Sequence, residues 1–254
     1  MLFLKPLNPS IGRTCLRLIW FFCVLASTTW TVALAQPFAS VLSLQIGEKT
    51  IHLPTPQGFI ETSKKSQEFW NTVQMYGAGD ACIVAHFVTE QNLRSFESGK
   101  TVIFKQYMLV QTPRRAESIT ATQAQFDKLR KGTVDLQNNL TSHLEPRLAA
   151  EAEQVSKAAS AGQGTPIHIH LGEVVPVSID RNDSQTLIYT ILAQASVSDN
   201  KANSSQNMVS TSAYCFVAGK VVMLVAYRYF NSPQDLQATR NFVNAWAIAL
   251  LAAN

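Results

Sequence analysis

Hydrophobic and polar positions alternate along this chain in blocks, first with the period of strands, then with that of helices, then with that of strands again. Val41 to Ile46 and Thr50 to Leu53, on either side of Gly47-Glu48-Lys49, predict two short strands around a tight turn, a hairpin. Pro54-Thr55-Pro56-Gln57-Gly58 is expected to end it, because proline cannot donate to a ladder. Phe69, Val73 and Tyr76 recur at helical spacing and predict a helix between Ser63 and Tyr76, with Gly77 and Gly79 as its stop. Ala81 to Val88 is apolar on both alternating faces apart from His86, as a strand buried from both sides would be, and is expected near the centre of a sheet. In the next strand, Thr101 to Val110, the alternation sets Val102, Phe104, Met108 and Val110 against Lys105 and Tyr107.

From Thr122 to Ser160 the period lengthens. Phe126, Leu129, Leu136, Leu140, Leu144, Leu148, Ala152 and Val155 form one apolar stripe, interrupted by Gly132 and Pro146, with a kink expected near the proline. Period two returns through Ile167 to Ile179, Leu187 to Val197, Met208 to Val217 and Val221 to Phe230, the last pair joined at Ala218-Gly219-Lys220. Ser232, Pro233 and Asp235 then signal a helix start, with Leu236, Val243, Trp246 and Leu250 facing the sheet. Strands before and after a helical block, closed by a hairpin and a helix, predict an α+β fold: an antiparallel sheet flanked by helices in an α/β/α sandwich.

The first 35 residues follow different rules. Lys5, Arg13 and Arg17 supply positive charge with no acidic residue among them, Leu18 to Ala26 is wholly apolar, and Ala33-Leu34-Ala35 is a small-x-small pattern. A cleavable signal peptide over 1–35 is expected, cut between Ala35 and Gln36, leaving one domain over 36–254 with the helical block at about 122–160. The apolar run is shorter than the roughly 20 residues of a membrane span, so retention as an anchor is the lesser alternative, and no transmembrane span is expected in the mature chain. Cys23 follows Phe21 and Phe22, which does not suit a lipoprotein signal.

Setting the leader aside changes the charge. The whole chain carries 21 Lys and Arg against 17 Asp and Glu, and three of those cations lie in the leader, leaving 18 against 17. That near-neutral balance lacks the basic footprint of a nucleic-acid binder. Two of the four cysteines, Cys82 and Cys215, remain. In an oxidising compartment they are open to two readings, a single disulfide or two buried free thiols.

The order of elements resembles the PsbP-like fold, shared by extrinsic photosystem subunits and DcrB-type bacterial envelope proteins. The likeness rests on the opening hairpin into Leu53-Pro54-Thr55-Pro56-Gln57-Gly58-Phe59. It rests equally on Val221 to Phe230 leading into Ser232-Pro233-Gln234-Asp235-Leu236 and Trp246, in all about a quarter of the chain. The resemblance implies an antiparallel sheet flanked by helices and a binding or accessory role. The lipoprotein cysteine of the DcrB type has no counterpart here, the helical block is an addition, and no functional residue of the family carries over.

Candidate chemistry is sparse. His168 and His170 are two apart on a predicted strand and so share a face, as two metal ligands would, with Glu173 or His52 as third ligands. The plainer reading is a strand whose Ile167, Ile169 and Leu171 turn inward and whose histidines meet solvent. Cys82 and His86 have the residue types of a nucleophile and base, but four residues along a strand is about 13 Å, beyond a hydrogen bond. Ser198-Asp199-Asn200-Lys201 compresses two penicillin-binding strings into one loop without the Lys-Thr-Gly that chemistry needs. Gly99-Lys100-Thr101 lacks the first glycine of a phosphate loop, Arg94 standing in its place. Asn139-Leu140-Thr141 fits a glycosylation acceptor inside a predicted helix. With no catalytic constellation and no cofactor motif, the expectation is a non-catalytic exported protein, periplasmic before secreted or signal-anchored, acting on an unknown envelope partner. A periplasmic module binding a small molecule or metal is the alternative.

Overall fold

The computed structural model describes residues 38–75, 80–99, 104–139, 153, 156, 168–198 and 203–254, and for several residues of the long strands it describes the backbone alone. The expected leader, with Ala35 and Gln36, most of the helical stripe beyond Leu136, and the kink at Pro146 lie outside the described residues. Strands β1 (Phe38–Ile46) and β2 (Lys49–Pro56) form a separate two-stranded antiparallel ribbon. The remaining strands are β3 (Ile60–Glu61), β4 (Ala81–Val88), β5 (Gln106–Pro113), β6 (His168–Asn182), β7 (Thr186–Ser198), β8 (Asn203–Val217) and β9 (Lys220–Tyr229). They make one antiparallel sheet in the order β3-β4-β5-β9-β8-β7-β6. The helices are α1 (Gln67–Met75), α2 (Glu90–Glu97), α3 (Gln123–Asn138) and α4 (Pro233–Ala252). The fold is therefore α+β, an antiparallel sheet with helices on both faces.

The first face carries the main core. Ala85 and Phe87 of β4, Met108 and Val110 of β5, Val222, Leu224 and Ala226 of β9, and Ala213 and Cys215 of β8 bury against Val243, Trp246, Ala247 and Leu250 of α4. The ribbon completes this layer with Leu44, Ile46, Ile51 and Leu53, while Ser40 with Thr55 and Gln45 with Thr50 pair across its outer side. On the second face, α1 and α2 cover β4 and β5 through Phe69, Val73, Ile83, Val88 and Leu93. Further along it, α3 sets Phe126 on Val221 and stacks it on Phe216 at 5.4 Å.

Several expectations are corrected. The ribbon does not stop at Pro54: Pro54 pairs with Val41 and Pro56 with Phe38. A two-stranded ribbon tolerates this because each strand has a free side on which a missing donor costs no ladder bond. The Pro54 carbonyl has its own partner, the Trp246 indole N–H at 2.7 Å. Strand β4 is next to the short edge strand rather than central. Phe104 packs with Tyr107 and Phe69 on the second face, away from Met108 and Val110, because regular strand starts only at Gln106. Gly132 does not interrupt α3, which runs through it and is started by a reciprocal cap between Thr122 and Gln125. At the start of α4 the cap is made from the other direction: the Asp235 carboxylate accepts from the Ser232 N–H and hydroxyl and from the Asn231 N–H.

Candidate functional site

Three places gather polar chemistry in the described residues, and each begins with a side chain that the sheet turns inward. The first lies where two turns meet. Ala218 and Gly219 join β8 to β9 with φ of 48° and 77°, both in the left-handed region that a two-residue hairpin of this hand requires. The following residue, Lys220, lands on the first face and is 2% exposed. Its ammonium donates to the carbonyls of Glu117 at 2.9 Å and Ile119 at 2.7 Å. The segment 117–121 is thereby strapped across the sheet end, and the Ala121 N–H adds a bond to the Gly219 carbonyl at 2.7 Å. The ribbon's turn reaches the same joint: a Cβ on Gly47 would fall 2.4 Å from the Glu117 carbonyl oxygen and 3.0 Å from Lys220 Nζ. Only glycine fits there.

Cys82 belongs to this joint. Its thiol donates to Glu117 Oε2 at 3.1 Å, and burial followed by that carboxylate pushes the thiol above its ordinary range. A thiol held protonated is a poor nucleophile. His86 does not assist it. A bulge between Ile83 and Ala85 shifts the alternation, so that Cys82 lies on the first face with Thr112 while His86 lies on the second. There His86 bonds Thr62 Oγ1 at 3.3 Å between the rings of Phe69 and Tyr107, and burial lowers it to about 4. Nor does Cys82 meet Cys215. Both thiols are free, and Cys215 sits three strand spacings away, roughly 14 Å, where a bridge needs Cα atoms within about 7 Å. Burial pushes Cys215 up to about 12. Of the two readings the sequence left open, the structure has the free thiols.

The second place is Asp180, under α4. Its side chain is 9% exposed, and it accepts from Ser178 Oγ at 2.8 Å, Thr190 Oγ1 at 2.6 Å and the Arg240 guanidinium. Thr190 passes the chain of bonds to Thr211 at 3.0 Å. A carboxylate so fully occupied fastens α4 to the far strands of the sheet.

The third place is the second face between α2 and α3. Tyr107 stacks on Tyr227 at 4.6 Å and 15°, and Tyr189 on Tyr214 at 6.2 Å and 29°. Ser210 and Ser212 stand between the pairs, since Ser210 is opposite Tyr227 and Ser212 is opposite Tyr189. Burial raises the phenols of Tyr107 and Tyr214 well above their ordinary range, so both remain neutral hydrogen-bonding groups. The sequence expected one of these tyrosines, Tyr107, to share a face with Lys105, but the grouping of four arises from the register of β5, β9, β8 and β7.

The other residues singled out from the sequence are dispersed. His168 and His170 take alternate positions at the start of β6, with only their backbone described, and the side chain of Glu173 lies outside the described residues. His52 is exposed on β2, where the Asn254 carboxamide accepts from its N–H and donates to its carbonyl, both at 2.8 Å. It lies on the separate ribbon and not on β6. Ser198 ends β7, whereas Asp199, Asn200 and Lys201 lie outside the described residues. Gly99 turns at φ 73° after α2, with Lys100 and Thr101 outside the description. Asn139 caps the C-terminal end of α3. Among the described residues, no helix is long and apolar enough to cross a membrane.

Comparison with protein-family models finds no match, and none of the curated proteins matches. Among solved structures, the Ran-binding protein Mog1p of Saccharomyces cerevisiae is similar at 11% identity, covering 84% of this chain and 90% of that one with a TM-score of 0.30. A mutant of the protein Mog1 is similar at 12% identity, covering 85% and 93%, with a TM-score of 0.32. Likeness of that degree carries no argument about what this chain binds.

Proposed function

We propose that this is an exported, non-catalytic protein of the bacterial envelope, periplasmic in location, whose work is to bind or support a partner protein. One observation carries the reading: among the described residues, Lys220, Asp180 and Cys82 are each taken up by contacts that hold the fold together. Lys220 gives its protons to two backbone carbonyls, Asp180 is occupied by Arg240, Thr190 and Ser178, and Cys82 is engaged with Glu117. His86 is kept neutral between aromatic rings. A catalytic base or nucleophile would need a proton or lone pair available to a substrate. Export is supported by the basic start, apolar run and Ala33-Leu34-Ala35 pattern of the first 35 residues. The resemblance to DcrB-type envelope proteins points the same way. Cell fractionation with N-terminal sequencing tests the location: the account expects protein released by osmotic shock that begins at Gln36. Cytosolic protein beginning at Met1 would contradict it.

The tyrosine-lined second face favours a second reading, a periplasmic module for a small molecule. The two stacked tyrosine pairs, half-buried beside the buried Ser210 and Ser212, offer an aromatic surface on which a small apolar or aromatic molecule could pack. Tyr227→Ala and Tyr189→Ala would then abolish uptake of a copurifying ligand detected by mass spectrometry of the extracted protein. Protein extracted with nothing bound, from both parent and variants, speaks against this reading.

A further inference from the structure

Among the described residues, the two sheets end on four outermost strands, β1 and β2 of the ribbon and β3 and β6 of the large sheet. An open strand edge pairs with other chains unless it is short, charged, interrupted by proline or a bulge, or covered. Strand β3 has only two residues. Strand β6 carries Pro176, three shifts of register, and the charged Asp180 and Arg181. The outer edge of β2 is covered. His52 gives its N–H and carbonyl to the Asn254 carboxamide, both at 2.8 Å, and the Pro54 carbonyl takes the Trp246 indole. Strand β1 lacks these devices: it has no charged residue and no proline, and its one irregularity lies at its start, between Phe38 and Ser40.

The direction of its main-chain groups follows from β2. Successive residues of an antiparallel strand send their N–H and C=O to opposite edges. Because His52 sends both groups to Asn254, it exchanges no bond with Ser43 opposite, and Ser43 in turn sends its own groups to the outer edge of β1. Val41 and Gln45, two residues to either side, do the same. Among the described residues no main-chain partner bonds these three. All three are exposed, Val41 at 59%.

We propose that this edge is an interaction surface for a second copy of the chain, the two β1 strands pairing antiparallel about a twofold axis at Ser43. Two ribbons then become one four-stranded sheet. An axis at Ser43 engages all three outward-facing residues: Ser43 meets its counterpart, and Val41 meets Gln45 of the second copy, each pair exchanging two main-chain bonds. The same register sets the half-buried Leu42 beside Leu44 of the second copy, on the apolar side of the ribbon. No charge on either strand opposes the approach. The pairing does not rest on either reading of function, because the purified protein alone displays it.

An interface built on one strand is smaller than a standard one, so the dimer forms in the micromolar range. Sedimentation equilibrium of the purified protein across that range is expected to show monomer and dimer in exchange. Ser43→Pro removes the N–H at the axis, and Val41→Lys brings a charge onto each edge. Each weakens the dimer by about tenfold or more, while Val175→Lys on β6 leaves it unchanged. Circular dichroism verifies that all three fold. Ser43→Cys tests the register. Its Cα atoms stand about 5.5 Å apart across the axis, within disulfide reach, so oxidation yields a covalent dimer. Gln45→Cys, roughly 14 Å from its counterpart, does not. A parent that remains monomeric at high micromolar concentration would overturn the pairing, as would a dimer that neither Ser43→Pro nor Val41→Lys weakens. A Ser43→Cys chain that crosslinks in cells to a different protein, with no covalent dimer, would overturn the choice of a second copy.

Discussion

Lys220 is a buried ammonium bonded to two backbone carbonyls, and replacing it by methionine isolates its charge. Met keeps the length and the apolar stem but removes the ammonium, so the carbonyls of Glu117 and Ile119 lose the donors now at 2.9 and 2.7 Å. Stranding a buried carbonyl costs about 1 to 3 kcal/mol. The Ile119 residue is half exposed, so water can take up part of its loss. Relief from desolvating an ammonium offsets some of the remainder. The net expectation is a loss of about 2 kcal/mol, which lowers the melting temperature by roughly 4 to 8 °C for a domain of this size. Urea unfolding at neutral pH measures it, with the midpoint falling and the slope unchanged. Hydrogen exchange adds a local reading, because the Ala121 N–H bonded to the Gly219 carbonyl should exchange faster once the strap loosens. A variant within about 0.5 kcal/mol of the parent, the usual range for a surface substitution, and with unchanged Ala121 exchange would refute the strap.

Three further outcomes follow from the same structure. His86 has a folded value near 4 against an ordinary value near 6.5, so the unfolded chain binds protons that the folded chain refuses. The linked loss of stability is absent above pH 6.5, where the imidazole is neutral in both states, and grows to about 3 kcal/mol as the pH falls towards 4. Chemical denaturation across that range should show the decline in the parent and a flatter profile in His86→Gln. Ala218 holds φ 48° without the freedom of glycine, so Ala218→Gly should raise stability by up to about 1 kcal/mol, while Gly219→Ala should lower it, its Cβ meeting Thr120 Cγ2 at 2.6 Å. Denatured protein starting at Gln36, handled without reductant, should yield two reactive thiols, and in the native state Cys215 should resist modification longer than Cys82. A single disulfide and no thiols would contradict the placement of β4 and β8.

Where local pattern and burial agree, the chain is readable. Ala81 to Val88 is a strand in both descriptions because both of its faces are buried, by Phe69 and Leu93 on one side and Trp246 on the other. The closing helix is equally plain from Ser232, Pro233 and Asp235, although the carboxylate rather than the serine makes the cap. The local pattern does not mark helix α2, since among its eight residues only Leu93 is buried, with Phe96 half-buried, and its start depends on Thr89 accepting from the Asn92 N–H. Lys220 reads as a solvated turn residue because its partners lie about a hundred positions earlier and are backbone carbonyls, which no side-chain pattern marks. The tyrosine face is hidden for a similar reason. Its four rings come from four strands, and only the register of the sheet brings them together.

The proposal of an envelope protein that supports a partner is tested most directly by crosslinking in living cells. A photoreactive amino acid at exposed positions such as Val41, Val175 and Ile248, followed by irradiation and mass spectrometry of the envelope fraction, reads the neighbours of the folded protein. The account predicts a discrete crosslinked species containing one recurrent envelope protein, formed from some positions and not others. Irradiated cells in which every position yields only the uncrosslinked chain would contradict it.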